Sequence, residues 1–149
     1  MTQTDRIGEM GPLWTLSAAA LCRCYAAGTA SPVEAARSCL ERAGAVNPTL
    51  NALVAIDPDG AERAAMASKA RWQAGTPLSP LDGVPVTIKD SLHVDGFATS
   101  WGSRLYAGQR ADQDETPVRR LRAAGAVILA KTNVPELTVQ GYTGNPVFG

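Results

Sequence analysis

Apolar positions along this chain change period several times, and each change marks an element. From Leu16 to Ala27 the spacing predicts a helix, with Leu16, Ala19, Ala20 and Leu21 as its apolar surface, Thr15 as candidate cap and Gly28 as stop. Leu13 and Trp14 precede it and could fold back on that face. The next start is better specified. Ser31 is an N-cap, Pro32 suits the first helical position, and Glu34 completes a capping box. Val33, Ala36, Leu40 and Ala43 then recur at helical spacing until Gly44, read as the stop. Period two takes over at Leu50, Ala52, Val54 and Ile56, which predicts a short strand with both faces partly buried. Asp57-Pro58-Asp59-Gly60 reads as a turn, and Ala61 to Ala74 as a helix by propensity, anchored by Trp72 and ended by Gly75 and Pro77.

Leu78 to Gly83 reads as loop and Val84 to Lys89 as a strand, which Pro85 confines to an edge or to its first residue. Ser91 to Gly108 shows no clear period and predicts a long irregular connection, a kind of segment that often carries function. Asp114 or Thr116 starts a helix with Pro117 in its first turn, Val118, Leu121 and Arg122 along one side, and Gly125 at its end. Ala126 to Ala130 is a clean apolar strand, and Lys131 to Gly149 lacks the pattern of a closing element. The order strand, long crossover, helix, strand predicts an α/β fold with a mixed or parallel sheet covered by helices. Residues 1–149 form one unit on this reading, mainly helical over 1–75 and built of strand and loop over 76–149.

Charge and composition narrow the function. Lys plus Arg and Asp plus Glu number 14 each, so the formal charge is zero, which argues against a direct nucleic-acid surface. Arg119, Arg120 and Arg122 form the densest basic group and read as a solvated helix face. Cys22, Cys24 and Cys39, an odd count, suggest reduced thiols, and with His93 as the single histidine they do not make a metal site at usual spacing. Neither metal nor cofactor is expected. No apolar run approaches the ~20 residues of a membrane span. Met1 to Met10 is polar with no apolar leader core, so a cytoplasmic protein with a short frayed start is expected.

One side chain stands out for chemistry. Lys89 closes the run Leu81-Asp82-Gly83-Val84-Pro85-Val86-Thr87-Ile88-Lys89-Asp90. Burial of such an ammonium favours its neutral form and makes lysine a usable base. Strand alternation sends Val84, Val86 and Ile88 to one face and Pro85, Thr87 and Lys89 to the other, with Asp90 pointing away from Lys89. The alternative is a strand-end lysine that reaches solvent and discourages wrong pairing. Thr132 and Asn133 follow the strand Ala126 to Ala130 and either line a ligand crevice or cap the next helical turn. Asp82 and Gly83 read as turn formers, Ser103 as a local backbone support, and His93 as structural or exposed.

Several of these stretches, in this order, resemble the amidase signature family. Leu81 to Asp90 is similar to the family's segment around its catalytic lysine, and Thr99-Ser100-Trp101-Gly102-Ser103 to its following Thr/Ser-Gly-Ser turn. Asp114, Arg119, Arg120, Leu121 and the run from Gly125 to Asn133 resemble its helix-strand segment. Pro135-Glu136-Leu137 and Asn145-Pro146-Val147-Phe148-Gly149 resemble the stretches that lead to its nucleophile, and Ser31-Pro32-Val33-Glu34 fits its N-terminal helices loosely. The resemblance covers nearly the whole chain. It departs at Ser91, where the family often has asparagine, which touches only local hydrogen bonding.

The resemblance implies a Ser-cisSer-Lys hydrolase of carboxylic amides. Lys89 would take a proton through a bridging serine held by a cis peptide, and a second serine would attack the carbonyl and form an acyl-enzyme. The family's Gly/Ser-rich segment holds both serines. Ser91, Ser100 and Ser103 do not sit in such a context, so this stretch by itself is expected to be inactive on amides. It is also expected to expose apolar surface, and to self-associate or to pair with a complementary chain. The expected ligand is a small-molecule amide. Two other readings stay open: a non-catalytic binding or assembly module of amidase-like fold, and an amidotransferase subunit that passes ammonia to an aminoacyl-tRNA.

Overall fold

The computed structural model describes residues 11–149, so the reading of Met1 to Met10 lies outside the described residues. Thr15 is not the first cap. Residues Leu13–Thr15 form a short 3-10 turn, and helix α1 (Ala18–Ala27) starts at Ser17, whose hydroxyl accepts from Ala20 N at 3.2 Å. The Thr15 hydroxyl is spent on Pro12 O at 2.7 Å. Gly28 ends α1 in the left-handed region, as expected. Helix α2 (Pro32–Leu50) opens on the full capping box: Ser31 Oγ accepts from Glu34 N, and Glu34 Oε2 accepts from Ser31 N at 2.8 Å.

Gly44 does not stop α2. The helix runs through Gly44 and Pro48 to Leu50 and closes on Asn51 at φ 48°. Its last turn is clipped to the following strand by Asn47, whose side chain donates to Leu53 O and accepts from Leu53 N. This tertiary clip outweighs the modest cost of a glycine in a helix. Leu50 therefore belongs to α2, and strand β1 is shorter than the alternation suggested, Leu53–Ile56. Asp57-Pro58-Asp59-Gly60 is not a free turn but the start of α3 (Pro58–Gln73), where Asp57 accepts from Gly60 N at 2.9 Å and Pro58 takes the first turn.

Strand β2 (Pro85–Lys89) begins on its proline, and strand β3 spans Val127–Thr132. The sheet order is β1-β3-β2, with β3 antiparallel to β1 and parallel to β2. Helix α4 (Thr116–Ala123) supplies the crossover's helical part. Neither Asp114 nor Thr116 caps it. Glu115 holds the N-cap position without a side-chain bond, because Asp114 is committed to Asp95 N and Arg122. Arg119, Arg120 and Arg122 are exposed, as a solvated face requires.

Helices cover both sheet faces. Val127, Leu129 and Ala130 pack with Ala36 of α2 and with Ala61 and Ala65 of α3. On the other side Ile88 and Ile128 pack with Val94 and with Val118 of α4, while Val86 and Phe97 lie against them. Leu13, Leu21, Cys24, Tyr25, Ala30 and Ala35 make a further cluster, on which Trp72 lies edge-on to Tyr25 as the expected anchor. Leu105, Val139 and Tyr142 stand exposed. Among the described residues no helix is long and apolar enough to cross a membrane.

One irregularity in the sheet decides the site. Val86 pairs with Ile128, but the next residue, Thr87, pairs with Ala130, so β3 carries one extra residue at Leu129. A strict alternation would put Lys131 on the face of Val127 and Leu129, against helices α2 and α3. The extra residue reverses the parity beyond it and turns Lys131 to the other side of the sheet.

Candidate active site

The carboxyl ends of the parallel strands β2 and β3 lie side by side, with Lys89 paired opposite Thr132. In open α/β sheets this end is where ligands bind. Lys89 is exposed there, not buried as its place after an apolar run suggested, because it is the last residue of β2, while the next residue, Asp90, is buried on the opposite side of the chain. The strand alternation thus separates the two side chains as the sequence predicted.

Asp90 meets a residue that sequence reasoning passed over. Its Oδ1 lies 3.1 Å from the Lys131 ammonium, and the two side chains are 2% and 0% exposed. Lys131 Nζ also donates to Thr99 Oγ1 at 2.9 Å and to Ala98 O at 3.2 Å. Three acceptors thus match the three protons of the ammonium. Asp90 Oδ2 accepts from Ser100 N at 3.1 Å and from Ser100 Oγ at 2.6 Å. Burial pushes the Lys131 ammonium below its ordinary range, and the Asp90 carboxylate opposes that shift.

The turn after Thr99 is bound into the same network. Ser100 Oγ accepts from Gly102 N at 3.0 Å, Trp101 N donates to Asp90 O, and Leu137 N donates to Trp101 O. Trp101 and Gly102 have φ of 53° and 65°, two successive left-handed residues. Gly102 is required here for a second reason: an added Cβ would sit 3.0 Å from the Asn145 side chain.

Thr132 is the last residue of β3, which runs two residues past the expected end at Ala130, and Asn133 does not cap a helix. The Asn133 side chain accepts from Val134 N and from Asn145 Nδ2, and donates to Asn51 O at 3.0 Å. The short 3-10 turn that follows, Glu136–Thr138, is preceded by Pro135 and takes no side-chain cap. Asn145 in turn donates to Val134 O at 2.7 Å and accepts from Val147 N and Phe148 N. Asn133 is therefore a strut that holds the 145–149 loop against the strand ends. The signal for this role was absent from the local sequence, since both partners are remote.

Asp82 is more than a turn former. Arg71 holds its carboxylate with two hydrogen bonds, of 2.8 and 2.6 Å, and Leu78 N adds a third. His93 is half-buried and lines a surface hollow with Arg110, Asp112 and Glu115, a group that includes none of the Lys131 network.

The sequence profile described as Amidase matches residues 34–149. The chain is 46% identical over 140 residues to a glutamyl-tRNA(Gln) amidotransferase subunit of Salinispora arenicola, a match that covers 94% of this chain and 28% of that protein. It is 40% identical over 134 residues to an acylamidase of Rhodococcus erythropolis, covering 90% of this chain and 28% of the relative. Among solved structures, the crystal structure of an amidase superposes with a TM-score of 0.82 at 32% identity, covering 90% of this chain and 30% of that one. The chain thus spans about 28% of the length of the curated relatives it matches.

Proposed function

The chain belongs to the amidase signature family, and from that membership we propose that the whole protein cleaves a carboxamide C–N bond through an acyl-enzyme, with Lys89 as the base. The observation that carries this reading is the position of Lys89, the motif lysine, at the exposed carboxyl end of β2 beside the parallel strand β3. A serine hydroxyl attacks an amide only when a base accepts its proton, and a neutral lysine can do so. In the family's arrangement the proton passes through a second serine, both serines lying on a Gly/Ser-rich segment. Ser100 is not a stand-in for either, because its hydroxyl is committed to Asp90. Backbone amides would stabilise the oxyanion.

The fate of the ammonia separates two readings. Transfer to an acceptor is favoured by the 46% identity to an amidotransferase component. In that case a small-molecule amide is the donor, and a partner protein holds the aminoacyl-tRNA, since this chain's charges balance. Release to water is the second reading, favoured by the likeness to the acylamidase and to the solved amidase. The test uses the full-length protein with any copurifying subunits. Ammonia release from a panel of carboxamides is measured with and without glutamyl-tRNA(Gln) and ATP, whose phosphoryl group converts the glutamate carboxylate into a leaving group for the incoming ammonia. Amidation of the tRNA-bound glutamate supports transfer, ammonia release that ignores the tRNA supports hydrolysis, and the absence of both removes the enzymatic reading in favour of a binding module.

A further inference from the structure

The buried Asp90–Lys131 pair takes no part in the chemistry above, yet it adjoins Lys89 in the chain. Every polar group of Asp90 is engaged. Its N–H donates to Thr132 O at 3.0 Å, its carbonyl accepts from Trp101 N at 3.2 Å, and its carboxylate takes Lys131 on one oxygen and Ser100 on the other. One residue therefore joins three segments: the end of β2, the end of β3, and the 98–102 turn. Buried ion pairs are weak net stabilisers, because desolvation consumes most of their Coulombic gain. A fully satisfied network does fix geometry. Here the fixed parts include the peptide from which Lys89 springs and a turn in which Trp101 holds a left-handed backbone that strains a non-glycine residue.

Resting on the reading of Lys89 as base, we propose that Asp90 and Lys131 are positioning residues, which lock the Lys89–Asp90 peptide and the 98–102 turn into one frame and so set where the neutral Lys89 amine meets its proton donor. The bulge at Leu129 is what makes the pair possible, since it turns Lys131 toward Asp90.

The test compares full-length wild type with Asp90→Asn, Lys131→Met and the double variant, by hydrogen exchange and by steady-state kinetics on the most active carboxamide. The double variant removes both charges together and so keeps the fold should a single variant lose it. The expected result is faster exchange at Ser100, Trp101 and Gly102 with the amides of β3 unchanged. A kcat lowered about tenfold to a hundredfold should accompany it, with KM within about twofold. Exchange that quickens evenly over the chain, or wild-type kcat in a folded variant, overturns the proposal and leaves the pair as a core element. A wild type that turns over no carboxamide would instead sink the reading of Lys89, while the exchange pattern would still report whether the pair holds the frame.

Discussion

The Arg71 guanidinium grips the Asp82 carboxylate with two hydrogen bonds, while Asp82 is fully buried and Arg71 keeps 26% of its side chain exposed. The pair ties α3 to the loop that feeds β2, a few residues before Lys89. Burial pushes the Asp82 carboxyl up, but the hydrogen bonds from Arg71 and Leu78 N and the Arg71 charge outweigh it and hold the group below its ordinary value of 3.8. A carboxylate depressed in the folded state binds fewer protons there than in the unfolded chain. Its stabilisation is complete above pH 3.8 and is lost as pH falls through the lower folded value. Urea unfolding followed from pH 6 down to about pH 2 should show this acid loss in wild type and a flatter profile in Asp82→Asn. Parallel profiles would assign the acid sensitivity to other carboxylates. At neutral pH Arg71→Ala should cost on the order of 2 kcal/mol, less than for a fully buried pair because of its partial exposure.

Gly125 adopts φ +87°, and a Cβ there would collide with the Asp82 carboxylate. Its carbonyl also accepts from Gly83 N at 2.9 Å, which joins the entry to β3 with the entry to β2. Gly125→Ala should therefore destabilise by more than the ~1–3 kcal/mol of left-handed strain alone, as read from the urea midpoint. A loss below about 1 kcal/mol would mean that the Asp82 turn yields freely.

Ser31 and Glu34 act as a reciprocal cap on α2. Ser31→Ala should cost about 1 kcal/mol in thermal or urea unfolding. Glu34→Ala should cost less, and the double variant should fall short of the sum, because each partner already loses its mate in the single variant. Strict additivity would show that the two bonds work independently.

Features written in neighbouring residues were legible. The Ser31 cap, the glycine stop at Gly28 and the proline-led strand at Pro85 all follow from local rules. Errors came where a side chain found a partner that the period of apolar residues does not reveal, near or far. Asn47 clips α2 to β1 and carries the helix past Gly44, and Asn133 is claimed by Asn145 and Asn51. Lys131 is the instructive case. It closes an apolar run just as Lys89 does, so the logic that singled out Lys89 applied to it equally. Regular alternation would have set it against α2 and α3, and only the extra residue in β3 aims it at Asp90. A bulge leaves no mark in the period of so short a strand.

The role of Lys89 as the base for acylation stands or falls on pre-steady-state acylation of the full-length protein by a carboxamide, wild type against Lys89→Ala and Lys89→Arg. Arginine keeps length and positive charge but stays protonated, so it cannot accept the serine proton. Both variants should fold, and both should lose acylation by at least about a hundredfold. An arginine variant that acylates nearly as fast as wild type would contradict that role, and would leave Lys89 as a solvent-facing charge at the end of β2.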